Sequence, residues 1–98
     1  MTERRIVRLL VRGRVQGVGF RAFVEETAFD HGLKGWVRNR REGSVEAVAA
    51  GTPTAVGALI EAVRRGPRAA RVDGVDITEA DEEALSPSHG GFSSLPTV

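Results

Sequence analysis

The chain has 98 residues, enough for one small domain whose single core buries roughly 60–70% of the unfolded surface. It contains no cysteine, which excludes a disulfide framework, a thiolate nucleophile and a thiolate metal site. The formal net charge is only +1, and no apolar run approaches the ~20 residues of a membrane span.

Arg5 to Arg12 alternates, with Val7, Leu9 and Val11 on one side and Arg8, Leu10 and Arg12 on the other, as in a half-buried strand. Phe20 to His31 reads as a helix with Phe20, Val24 and Ala28, or alternatively Phe23 and Thr27, at helical spacing. Gly32 suits the left-handed position after it, Leu33 is placed to pack back on Ala28, and His31 faces the negative end of the helix dipole. Lys34 to Arg40 reads as a strand, with Trp36, Arg38 and Arg40 opposite Gly35, Val37 and Asn39. Arg41-Glu42-Gly43-Ser44 is a turn, and Val45 to Ala50 is the returning strand of a hairpin.

Thr52-Pro53 opens a second helix with an N-cap side chain followed by proline. Val56, Leu59, Ile60 and Val63 form its apolar stripe, and Gly66-Pro67 ends it. Val72 to Glu79 is a fourth strand. Asp81 to Leu85 is an acidic helical turn or loop with a solvated face, and Ser86 to Gly91 is a loop containing His89. Phe92 to Leu95 reads as a short edge strand stopped by Pro96.

The order β-α-β-β-α-β is the ferredoxin-like α+β layout, with a short fifth strand at one edge. Two amphipathic helices need one sheet face to cover them, which predicts an antiparallel sheet with both helices on one side, in a single domain over residues 1–98.

Between the first strand and the first helix lies Gly13-Arg14-Val15-Gln16-Gly17-Val18-Gly19-Phe20-Arg21. Gly17 and Gly19 let the backbone turn sharply and approach a ligand. The helix behind them offers unpaired N–H groups and a positive dipole end, the ingredients of an anion site. Arg21 sits in the first turn, where a cation is disfavoured unless an anion is bound beside it. Neither the Walker spacing nor Gly-x-Gly-x-x-Gly is present, which argues against those two phosphate motifs. Charge points the same way: residues 1–41 carry ten Arg/Lys and four Asp/Glu, and residues 42–98 carry four and nine. The half that holds the glycine loop is the basic one, although most of its arginines are read as solvated sheet faces.

A second segment, Gly35-Trp36-Val37-Arg38-Asn39, follows at the distance of one helix and a turn. Together with Gly32-Leu33, Gly43 and Val45-Glu46, the two segments resemble the acylphosphatase family across roughly residues 7 to 51. The resemblance implies the same ferredoxin-like fold and hydrolysis of the carboxyl–phosphate bond of acyl phosphates to a carboxylate and inorganic phosphate. It also implies that Arg21 is the phosphate-binding catalytic arginine and that Asn39 orients the attacking water. The backbone N–H groups of Gln16, Gly17, Val18, Gly19 and Phe20 would complete the cradle. The Gln16 side chain is read as a shaper of the loop and Trp36 as a packing residue. No metal and no cofactor is expected. The expected partner is a small-molecule acyl phosphate, with inorganic phosphate as product inhibitor. The chain is expected to be a cytoplasmic monomer that engages neither nucleic acid nor membrane, since Met1-Thr2-Glu3-Arg4-Arg5 is not followed by a signal-peptide core.

Two other functions fit parts of the pattern. Ferredoxin-like modules that read RNA stack bases on aromatics of their central strands, and Ile6–Arg12 and Val45–Ala50 contain none. The other is a non-enzymatic anion-binding or partner module, since acylphosphatase-like domains also occur fused at the front of larger carbamoyl-transferring maturation factors. The short tail after this domain favours the free enzyme.

Overall fold

The first strand, β1 (Arg5–Arg14), turns Val7, Leu9 and Val11 into the core and leaves Arg8 and Arg12 outside. Its alternation is therefore the period of a two-faced strand. The computed structural model describes residues 3–88 and 90–98. His89 lies outside them. β1 leads through a glycine loop into α1 (Phe20–Asp30), and a hairpin of β2 (Lys34–Asn39) and β3 (Val45–Gly51) follows. Then come α2 (Pro53–Arg65), β4 (Arg71–Glu79), a 3₁₀ turn at Glu82–Leu85, and β5 (Phe92–Ser94).

The helices start and stop where the local chemistry dictates. α1 buries Phe20, Val24 and Ala28. It ends in a Schellman arrangement, with the Leu33 N–H donating to the Ala28 carbonyl (2.9 Å) and the Gly32 N–H to that of Phe29 (3.1 Å). The His31 ring adds a contact of 2.9 Å between Nδ1 and the Thr27 carbonyl, inside the last turn. At the start of α2 the Thr52 hydroxyl accepts from the Ala55 N–H (3.1 Å), with Pro53 first in the helix. That helix buries Val56, Leu59, Ile60, Ala62 and Val63. Each large side chain among these contributes roughly 1.5–3 kcal/mol by leaving water.

The sheet order is β4-β1-β3-β2-β5. β1 pairs antiparallel with β3 and β4, and β2 pairs antiparallel with β3, in the register that sets Asn39 opposite Val45 and Arg38 opposite Glu46. Both helices cover one face, α1 over β2 and β5, α2 over β4 and β1.

The expectation of an antiparallel sheet is corrected at the edge. β5 runs parallel to β2, so the five-stranded sheet is mixed. After β4 the chain crosses the face opposite the helices through the 3₁₀ turn and reaches the free edge of β2 travelling in its direction. That crossing also explains Trp36, which is buried on that face beneath the turn, donates from Nε1 to the Ala84 carbonyl (2.7 Å) and stacks on the Arg38 guanidinium (4.6 Å). The Asp81 carboxylate caps the 3₁₀ turn by accepting from the Glu83 N–H (3.1 Å), and Glu82 and Glu83 stay exposed. β2 stops at Asn39 rather than Arg40, because the Arg40 N–H already closes the turn onto the Ser44 carbonyl (2.9 Å).

Candidate active site

The loop from β1 to α1 is pinned at both ends by apolar side chains. Val15 and Phe20 are each only 1% exposed, so the residues between them are held over the core edge. Within this span Gly17 (φ 73°) and Gly19 (φ 78°) take left-handed conformations that L side chains rarely adopt. A Cβ at either would meet nothing within 4 Å, which leaves the space in front of the loop open.

The two helix N-termini are built differently. α2 has its threonine cap. α1 begins at Gly19, which supplies no side-chain cap, and its first turn carries no acidic residue. Among the described residues no protein acceptor takes the N–H groups of residues 17 to 21. Unpaired N–H groups and the positive end of the dipole therefore face one cleft.

That cleft has a volume of about 320 Å³ and is lined by Gly17, Gly19, Arg21, Glu25, Asn39 and Ser94, among others. Two residues eighteen positions apart in sequence, Arg21 and Asn39, thus share one wall system. Arg21 is exposed in the first turn of α1 and, among the described residues, makes no ion pair. Arg8, Arg12, Arg38 and Arg40 are all held by carboxylates. Asn39 ends β2, and its Oδ1 is buried with no hydrogen-bond partner. A buried orphan acceptor costs roughly 1–3 kcal/mol unless something donates to it.

The remaining loop residues divide by role. The Gln16 side chain turns away from the cleft and donates from Nε2 to the carbonyls of Arg40 (2.6 Å) and Ser44 (2.9 Å). This bears out its reading as a loop-shaping residue. Val18 packs against the core, so Gln16 and Val18 can reach a ligand only through the backbone. Phe20 is the buried anchor of α1 and meets Phe23 edge-on at 6.0 Å. Two polar cleft residues escaped sequence reading. Glu25 lies one helical turn beyond Arg21, a spacing that places it on the same face. Ser94 arrives on β5, and nothing local in its sequence signals that. Among the described residues no cluster of three or more His, Asp or Glu side chains is placed to hold a metal ion.

Fold and cleft together define a ferredoxin-like α+β sandwich in which an open helix N-terminus, an unpaired arginine and an unpartnered asparagine face the same space. The chain belongs to the acylphosphatase family, whose model, described as "Acylphosphatase", matches residues 7–93. An acylphosphatase of Rhodopseudomonas palustris (strain BisB5) is 53% identical over 95 residues, covering 95% of this chain and 96% of the relative. The crystal structure of acylphosphatase from Bacillus subtilis superposes with a TM-score of 0.82 at 41% identity, covering 92% of this chain and 97% of that one. An acylphosphatase structure from Coxiella burnetii gives 0.85 at 34% identity, with 94% and 93% covered. The activity of the family is hydrolysis of acyl phosphates, which makes its members hydrolases acting on acid anhydrides. Among the described residues, no helix is long and apolar enough to cross a membrane.

Proposed function

We propose that the chain, acting as one domain over residues 1–98, carries out the family's reaction through Arg21 and Asn39. The phosphate of the substrate sits against the N–H groups of the Gln16–Phe20 loop and the head of α1. The Arg21 fork takes two of its oxygens, a planar two-point contact that a lysine does not offer. Asn39 holds the attacking water by accepting from it, and an amide does so without titrating. The leaving group is a carboxylate whose conjugate acid has a pKa near ~4, so departure needs no general acid. What remains is positioning and charge stabilisation, and the cleft is suited to both. The reaction so drawn uses no metal and no cofactor.

The observation that carries this reading is the shared cleft, in which the orphan Oδ1 of Asn39 and the unpaired Arg21 meet the uncapped helix. Inorganic phosphate, as product, competes for the same cradle. The working form is a cytoplasmic monomer that binds neither nucleic acid nor membrane. β1 and β3 contain no aromatic residue for bases to stack on.

Hydrolysis of benzoyl phosphate, followed in the presence of a chelator beside the Arg21→Ala variant, tests the reading. Wild type is expected to turn over, and the variant to lose about 3–4 kcal/mol of transition-state stabilisation together with phosphate binding. A near-normal rate in the variant overturns the role of Arg21. Activity that disappears in chelator and returns with a divalent ion overturns the metal-free route.

A further inference from the structure

Beside the phosphate cleft, and sharing Ala22 and Glu25 with it, a second groove of about 600 Å³ runs along α1. Leu33, Phe29 and Phe92 supply its apolar surface, and Glu25, Glu26 and Lys34 its polar surface. Phe29 is 82% exposed, and the only other large hydrophobic side chain exposed among the described residues is Val98. An isolated exposed apolar residue is ordinary, but this one stands at the end of a groove that opens into a reaction cleft. Arg21, Ala22, Glu25 and Phe29 fall at helical spacing on one side of α1. A guest anchored at Arg21 reaches Phe29 by lying along the helix, about 12 Å away for eight residues at 1.5 Å each.

We propose that this groove is the acyl subsite and that it selects acyl phosphates whose acyl group is extended, apolar and uncharged. The inference rests on the phosphate-binding reading of the adjoining cleft. The groove volume falls within the ~300–1,000 Å³ of small-molecule sites. A second copy of the chain fits less well, because one exposed aromatic offers roughly 150–250 Å², against about 800 Å² per partner in a stable interface. Charge sets the second half of the selection. Glu25 borders both cavities, so an acyl group bearing its own carboxylate or phosphate meets like charge as it leaves the cradle, whereas a hydrocarbon chain meets Phe29, Leu33 and Phe92.

The test is kcat/KM for acetyl, butanoyl and octanoyl phosphates, and for benzoyl against 4-carboxybenzoyl phosphate, in wild type and Phe29→Ala. Light scattering follows the oligomeric state of both proteins. Phe29 is solvent-exposed on its helix, so the variant is expected to fold. Wild-type kcat/KM should rise about tenfold or more from acetyl to octanoyl and fall on adding the distal carboxylate. Phe29→Ala should remove most of the gain for octanoyl and leave acetyl phosphate unchanged. A flat wild-type series, or an equal effect of Phe29→Ala on every substrate, overturns the subsite while the activity stands. A flat series with a dimer that dissociates in the variant reassigns the groove to contact between copies. No turnover of any acyl phosphate removes the activity, and the subsite with it.

Discussion

The side-chain amide of Gln16 donates to the backbone carbonyl of Arg40 at 2.6 Å, and thereby ties the glycine loop to the residue next to Asn39. The same nitrogen reaches the Ser44 carbonyl at 2.9 Å, on the far side of the β2–β3 turn. The loop that faces the cleft from one side and the strand end that faces it from the other are therefore one mechanical unit. Both carbonyls keep a second donor, from the N–H groups of Gly43 and Arg40 respectively. Removing the side chain thus loosens the joint without orphaning a carbonyl.

Gln16→Ala is accordingly expected to cost about 1–1.5 kcal/mol of stability, the worth of two partly buried neutral hydrogen bonds that are incompletely lost. It should also weaken inhibition by inorganic phosphate. Gln16→Glu should be worse on both counts, because it removes the donor and sets a carboxylate against two carbonyl oxygens. Denaturant melts and phosphate inhibition of the two variants check the order. Equal behaviour would show that the amide bonds do not hold the loop.

Asn39→Ala separates chemistry from stability. Its Oδ1 is already buried without a partner, so deleting the side chain removes an unmet acceptor. The melting free energy is expected to stay within about 0.5 kcal/mol of wild type. Loss of an oriented water should lower kcat about a hundredfold, with inhibition by phosphate nearly intact. Steady-state kinetics with phosphate as competitor decides the point. A parallel fall in phosphate affinity makes Asn39 a ligand-binding residue instead.

Arg21→Lys tests geometry against charge. The ammonium preserves the cation at the head of α1 but not the planar fork. Phosphate affinity is expected to fall by about 1.5–2 kcal/mol, ten- to thirtyfold, with a steeper loss in kcat. Isothermal titration with inorganic phosphate reads the first quantity. An unchanged affinity would mean that charge alone holds the anion.

Features carried by residues close in sequence were legible before the structure. Gly32-Leu33 and Thr52-Pro53 specify their helix ends through bonds to nearby residues, and each end formed where those residues stand. Helical periodicity is local, so Phe20, Val24 and Ala28 were readable as one of two candidate stripes, and packing on the sheet chose them over Phe23 and Thr27. The pairing of Arg21 with Asn39 in one cleft was legible only through the two motifs taken together. What escaped depends on contacts far apart in the chain. A three-residue strand has no pattern that fixes its direction, so the parallel docking of β5, and with it the entry of Ser94 into the cleft, could not be read. The partners of the Gln16 amide lie 24 and 28 residues away and follow from the loop's docking, not from its composition. The buried carboxylate at Glu46 is of the same kind, since its surroundings appear only once the strands are in register.

That carboxylate sets the last prediction. Glu46 is 7% exposed on the sheet face away from the helices and is gripped by Arg8 (3.2 Å), Arg38 (2.9 Å) and Arg40 (3.0 Å). Arg40 also reaches Glu42 (3.4 Å), whose carboxylate accepts from the Ser44 hydroxyl in the turn. Burial pushes the Glu46 carboxyl up, but the hydrogen bonds and charges of Arg38 and Arg40 outweigh it and hold the group below the usual carboxylate range. A carboxylate depressed in the folded state contributes stability that is fully present above the unfolded pKa of about 4.3 and is lost as pH falls through the lower folded value. Glu46→Gln is therefore expected to cost about 2–3 kcal/mol near neutrality, less than a fully buried pair because the arginines keep contact with water. The gap from wild type should begin to close as pH falls through the unfolded value and vanish only below the lower folded value, where the native carboxyl is itself neutral. Melts of both proteins between neutrality and strong acid check the sign. A gap independent of pH would show that Glu46 acts through packing and not through charge. Because Arg38 and Arg40 flank Asn39 in sequence, the variant should also lower kcat at neutral pH, through loss of the register that aims the asparagine at the cleft.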